Sequence, residues 1–209
     1  MIRRHVCIVA ASLLSLMATV AVAWESEVAD LEQRWERITT ERPEGERREA
    51  FERLAEEAAA LAEAHPDTAE PQVWYGIIEA SHARERSGLG ALDSAKKARA
   101  ALEKAVELDA DGNDGSAYVT LGALYDRAPG WPLGFGDEET AESMFEKALA
   151  IRPEGIDVNY YYAAFLAEEG RTEEAREHAE RAMAGEVREG REGSDAALRE
   201  QARELLSRL

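Results

Sequence analysis

The sequence predicts an all-α protein, a solenoid of antiparallel helical hairpins, and three observations carry that expectation. Alanine, leucine, glutamate and arginine dominate a 209-residue chain with only 7% aromatic residues, a composition of helix formers. Apolar residues recur at three- and four-residue spacing, and no stretch alternates with a period of two long enough for a strand. A unit combining a small residue with flanking aromatic and aliphatic residues occurs three times.

The first 23 residues stand apart from the fold. Arg3, Arg4 and His5 form a basic head, Val6 to Ala23 is apolar or small, and Ala21-Val22-Ala23 has the small residues a signal peptidase needs. A signal peptide over 1–23, cleaved between Ala23 and Trp24, implies an exported and periplasmic mature chain without a membrane span. Cys7 is the only cysteine and would leave with that segment. The mature chain would therefore be held by packing, not disulfides.

From Trp24 the elements follow in order. Val28, Leu31, Trp35 and Ile38 mark a first helix, which Pro43 and Gly45 are expected to terminate; Phe51, Leu54, Ala58 and Leu61 mark a second, stopped by His65-Pro66-Asp67. These give a degenerate leading hairpin over 24–66. Three repeats follow at 69–109, 115–153 and 156–185, and a capping helix with Leu198, Ala202, Leu205 and Leu209 on one side spans 194–209. The total is nine helices in one domain, 24–209. The Gly-, Glu- and Arg-rich stretch 185–193 reads as a mobile linker.

Residues 118–153 carry the repeat most fully: Tyr118, Leu121-Gly122, Tyr125, Ala141, Phe145, Ala148 and Pro153. Position by position this resembles the tetratricopeptide repeat. Small residues at Gly122 and Ala141 allow two helices to cross closely, while Leu121, Tyr125 and Phe145 fill the surrounding space. Trp74-Tyr75-Gly76 with Ala98, Leu102 and Ala105 is a second copy, and Tyr162-Ala163 with Leu166, Gly170, Ala175 and Ala179 a third. Gly76, Gly122 and Ala163 lie 46 and 41 positions apart, against about 34 for the family. The intervals from Gly76 to Ala98, Gly122 to Ala141 and Ala163 to Ala175 are 22, 19 and 12, so the extra residues are expected at the turns inside the first two hairpins.

The resemblance implies a concave groove lined by the first helix of each hairpin. Carried onto this chain, its candidate binding residues are Val73, Ile77, Val119, Ala123, Asp126, Tyr160 and Ala164. The groove would have an apolar middle and mainly acidic edges. Two alternatives remain open: a ligand or partner helix occupies it, or a terminal helix of the chain folds over it. The inserted loop poses a parallel choice, with Trp131, Leu133 and Phe135 either packing back or making contacts.

The export signal, the long loop before Asp137 and the adjoining Ala148-Leu149 and Pro153 also make the chain similar to the T component of tripartite (TRAP) periplasmic transporters. That likeness implies a helical scaffold that docks a solute-binding protein and can assemble with itself. Its alternative is a carrier of a hydrophobic small molecule or lipid in the groove.

Charge and composition narrow the chemistry. A net charge of −18 leaves no uniform basic surface for nucleic acid or anionic lipid. No two histidines have the spacing of a helical metal pair, and neither a phosphate-cradling glycine loop nor a Gly-x-Ser-x-Gly elbow occurs. The expectation is no enzyme, no catalytic residue, no metal and no cofactor.

Overall fold

The computed structural model describes residues 24–209, so the signal-peptide expectation for 1–23 lies outside the described residues. Nine helices form among these residues: α1 (24–41), α2 (Glu44–Ala64), α3 (Ala69–Arg84), α4 (Gly88–Leu108), α5 (Ser116–Arg127), α6 (Glu138–Ile151), α7 (Ile156–Glu168), α8 (Thr172–Ala184) and α9 (Glu192–Leu206). Among the described residues no strand forms, and Gly130 and Gly136 make one isolated bridge. The pairs α3/α4, α5/α6 and α7/α8 are hairpins, each packed on the next, and α9 packs on α7 and α8.

Helix crossing is close where the sequence places small residues. A Cβ on Gly122 would lie 2.6 Å from Phe145 Cε1, and one on Gly76 would lie 2.4 Å from Leu102 Cγ. Neither ring nor branched side chain can yield that distance, so a methyl group at either position would separate the two helices. Phe145, fully buried, continues the core into α7 through ring contacts with Tyr162 at 5.6 Å and Phe165 at 5.9 Å.

The turn from α7 to α8 closes through Gly170, whose φ of 74° suits a residue without a Cβ. Gly170 N–H donates to Ala167 O and Arg171 N–H to Leu166 O, at 3.1 and 2.8 Å, satisfying carbonyls that the helix end leaves open. At the start of α6 the Asp137 carboxylate accepts from Thr140 N–H at 2.8 Å. That bond holds the Asp137 pKa below its ordinary value.

Three expectations about boundaries are corrected. Pro43 ends α1 by starting α2, where its missing N–H costs nothing, and Gly45 lies inside the first turn of α2. The first repeat has no inserted loop: only residues 85–87 separate α3 from α4, and the extra residues extend α4, a helix of 21 residues. The second repeat does have its loop, between Arg127 and Glu138.

The third correction concerns 185–193. Helix α9 begins at Glu192, and the stretch before it is a packed strap, not a solvated linker. Arg188 Nη1 meets Asp157 Oδ2 at 2.7 Å and Arg188 Nη2 meets Asp195 Oδ1 at 2.5 Å, both carboxylates being buried. Arg191 lies 4.2 Å over the Trp35 ring and 5.4 Å over that of Trp74. A Gly/Glu/Arg composition suggests hydration, but these two guanidiniums have specific partners more than thirty positions away.

Candidate functional site

The structure divides the seven candidate groove residues between core and partial cover. Val73 and Ile77 on α3 are buried in the cluster that contains Val28, Leu31, Trp35 and Ile38 of α1. Val119 on α5 is buried with Ala148 and Val158. Ala164 packs against the cluster of Ala163, Ala179 and Leu205, the last of these from α9. Val73, Ile77 and Val119 belong to the core, while Ala164 is partly buried against it.

Helix α1 covers Val73 and Ile77, and α9 lies against Ala164. The start of α9 sits beside α1, where Ser194 N–H donates to Glu36 Oε1 at 2.7 Å, and Leu209 lies against the cluster of Phe165 and Leu166. Of the two alternatives for the groove, the one in which chain ends cover apolar residues describes Val73, Ile77 and Ala164.

Ala123, Asp126 and Tyr160 are only partly covered. Tyr160 packs edge-on to Tyr161 at a ring separation of 5.2 Å, and burial raises its pKa. Burial likewise raises the Asp126 carboxyl, with Arg127 opposing and Glu168 and Glu169 reinforcing the shift. Arg127 bridges Asp126 and Glu168 at 3.7 and 4.0 Å, tying the ends of α5 and α7.

The α5–α6 loop separates its three candidates more sharply. Phe135 turns inward, meeting the Tyr125 ring at 5.5 Å with Arg99 over its other side at 4.5 Å. Trp131 and Leu133 point outward and are 90% and 73% exposed. The backbone that carries them is braced: Leu133 and Gly134 N–H both donate to Gly130 O at 3.1 Å, Gly136 N–H to Pro129 O at 2.9 Å, and Asp137 N–H to Tyr125 O at 3.0 Å. The loop therefore displays two large apolar side chains from a fixed base.

The tetratricopeptide repeat family matches residues 133–188, from within the loop through α8 to the strap. A solved structure titled "Crystal structure of MamA" aligns with a TM-score of 0.50 at 17% identity, covering 76% of this chain and 85% of that one. The fold is a TPR-like α-solenoid. A search of curated proteins found no match.

In this TPR-like solenoid one side-chain group superficially resembles hydrolase machinery, and sequence spacing did not single it out. Ser94 Oγ lies 3.3 Å from His82 Nδ1 and Glu79 Oε2 lies 3.6 Å from the same nitrogen. A proton relay needs the nucleophile and the orienting carboxylate on opposite ring nitrogens. All three residues are also buried, which denies a substrate access. Burial lowers the His82 pKa, with Glu79 opposing the shift. The group is a polar seam between α3 and α4. Among the described residues no group of three or more His, Cys, Asp or Glu can hold a metal ion. No described helix is long and apolar enough to cross a membrane.

Proposed function

We propose that the chain is a protein-binding scaffold whose contact with its partner is made by the loop bearing Trp131 and Leu133. The observation that carries this reading is the pairing of high exposure with a braced backbone. Ordering a loop on binding costs free energy, and a loop already ordered avoids that cost. Exposed tryptophans on rigid supports are frequent binding anchors. The partly covered Ala123, Asp126 and Tyr160 extend the contact along α5 and α7.

The finer reading places the mature chain in the periplasm as an adaptor for a solute-binding or envelope-assembly partner. It rests on the export signal and on the resemblance to the T component. Carriage of a hydrophobic molecule in the groove is the weaker alternative, because Val73, Ile77 and Val119 are buried in the folded chain.

A photo-crosslinking amino acid placed at position 131 in cells making the full chain tests the contact, with exposed Arg48 as the control position. A discrete protein adduct at 131 and none at 48 is the expected result. No adduct, or equal adducts at both, overturns the loop as the docking surface. Amino-terminal sequencing of the product tests export, with Trp24 expected as the first residue.

A further inference from the structure

The acid surplus of the chain hides one local exception. Between α1 and α2 lies an open cleft of about 500 Å³ lined by Arg34, Arg37, Arg42 and Arg53 against only Glu41 and Glu46. Two of the four arginines are already engaged. Arg34 is clamped by Glu57 at 2.5 and 2.7 Å and by Asp30 at 3.2 Å. Arg42 reaches Glu46 at 3.8 Å.

Arg37 and Arg53 form no ion pair with a described residue, although acidic residues outnumber basic ones 43 to 25. Glu57, one helical turn beyond Arg53, is taken by the bidentate contact with Arg34. That leaves two planar, permanently charged forks without a carboxylate partner, both lining the same concave surface.

The start of α2 adds no positive charge to the cleft: Glu44 and Glu46 occupy its first turn, and Glu46 N–H donates to Pro43 O at 2.9 Å. Of its apolar lining, Pro43 is exposed, whereas Ile38 and Ala50 are buried in the core beneath it. The volume is within the usual range of small-molecule sites.

We infer that this cleft binds a small oxyanion, a carboxylate or phosphate, with Arg37 and Arg53 gripping the charge and exposed Pro43 offering an apolar contact beside it. Guanidinium groups pair with both anions in the same planar manner, so the site recognises the shared chemistry. The overall negative charge slows the approach of such a ligand without preventing its capture, because a local pair of charges dominates within a Debye length of about 8 Å.

The test is a titration of the isotope-labelled full chain, following arginine side-chain N–H signals by NMR, with phenyl phosphate, benzoate and, as the neutral control, benzyl alcohol. Saturable movement of the Arg37 and Arg53 signals with at least one anion, and not with the alcohol, is expected. Movement with phenyl phosphate alone assigns a phosphate, with benzoate alone a carboxylate. Arg37→Gln with Arg53→Gln should weaken binding about tenfold or more, while the melting temperature stays put because both side chains are exposed. Absence of saturation, or equal movement of Arg127 and Arg203, overturns the site in the unmodified protein, whatever the variant does.

Discussion

Trp35 Nε1–H donates to Ser81 Oγ at 2.8 Å, and Ser81 Oγ–H passes the bond on to Ile77 O at 2.9 Å. This buried pair joins α1 to α3 across 46 positions of sequence. It gives the Trp35 indole its polar partner while the ring itself packs edge-on to Trp74 at 6.1 Å and lies under Arg191. Three parts of the chain, α1, α3 and the strap, therefore converge on one side chain.

Trp35→Phe retains most of that burial and removes the donor, so it should cost about 1–3 kcal/mol, the penalty for weakening a buried bond and a cation–π contact. Trp35→Ala should cost about 3–5 kcal/mol because it opens a cavity as well. Urea unfolding of both variants checks the order. No loss in Trp35→Phe would mean that the hydrogen bond contributes nothing, and equal losses that the cavity adds nothing.

The strap supplies a second prediction. Burial opposes the charged form of Asp157, yet Arg188 and Arg152 outweigh it and hold the Asp157 pKa below its ordinary value. Arg188→Ala leaves Asp157 and Asp195 with one fewer cation, Asp195 losing its guanidinium altogether, at an expected cost of about 3–5 kcal/mol. Denaturant unfolding measures it. Hydrogen exchange should show faster opening of α9 than of α4, because the strap no longer ties α9 to α7.

The helices were legible in the sequence, and so were the close crossings at Gly76 and Gly122, because periodicity and small residues are local signals. The partners of the groove residues were not. Val73 and Ile77 have the same pattern whether they face a ligand or α1, and only the position of Trp35 decides between them. Likewise Arg188 and Arg191 sit in a run of glycine and glutamate that composition cannot distinguish from a solvated linker. Asp157, Trp35 and Trp74, which these two arginines meet, are far away in sequence. The cleft at Arg37 and Arg53 was hidden by averaging, since a net charge says nothing about where two cations remain unpaired.

A third prediction concerns pH. Asn159 Nδ2–H donates to Pro153 O and Gly155 O at 2.8 and 2.9 Å, so its Oδ1 is left to accept from His178 Nδ1 at 2.8 Å. Burial lowers the His178 pKa from 6.5, and Arg181 adds to the shift. Below pH 6.5 the unfolded chain binds a proton that the folded chain resists, so stability falls as pH drops through that value. Raised carboxylates such as Glu32, Glu70 and Asp126 act in the opposite sense. Comparing the protein with His178→Gln between pH 7.5 and 5 isolates the histidine. The variant should lose less stability over that range, and parallel curves would remove His178 from the account.

The loop separates stability from binding. Phe135 is held by Tyr125 and Arg99, and the Tyr125 hydroxyl, whose pKa burial and Glu103 push up to about 12, donates to Glu103 Oε1 at 2.8 Å. Phe135→Ala should therefore cost about 1–3 kcal/mol and loosen the base of the loop. Trp131→Ala, at an exposed apex, should change stability by no more than about 0.5 kcal/mol. Thermal unfolding distinguishes the two. In a partner assay the order changes: Trp131→Ala removes an anchor outright, whereas Phe135→Ala retains it and weakens binding through the ordering cost alone. If Trp131→Ala leaves both stability and partner binding untouched while Phe135→Ala reduces both equally, the loop serves only the α5–α6 hairpin.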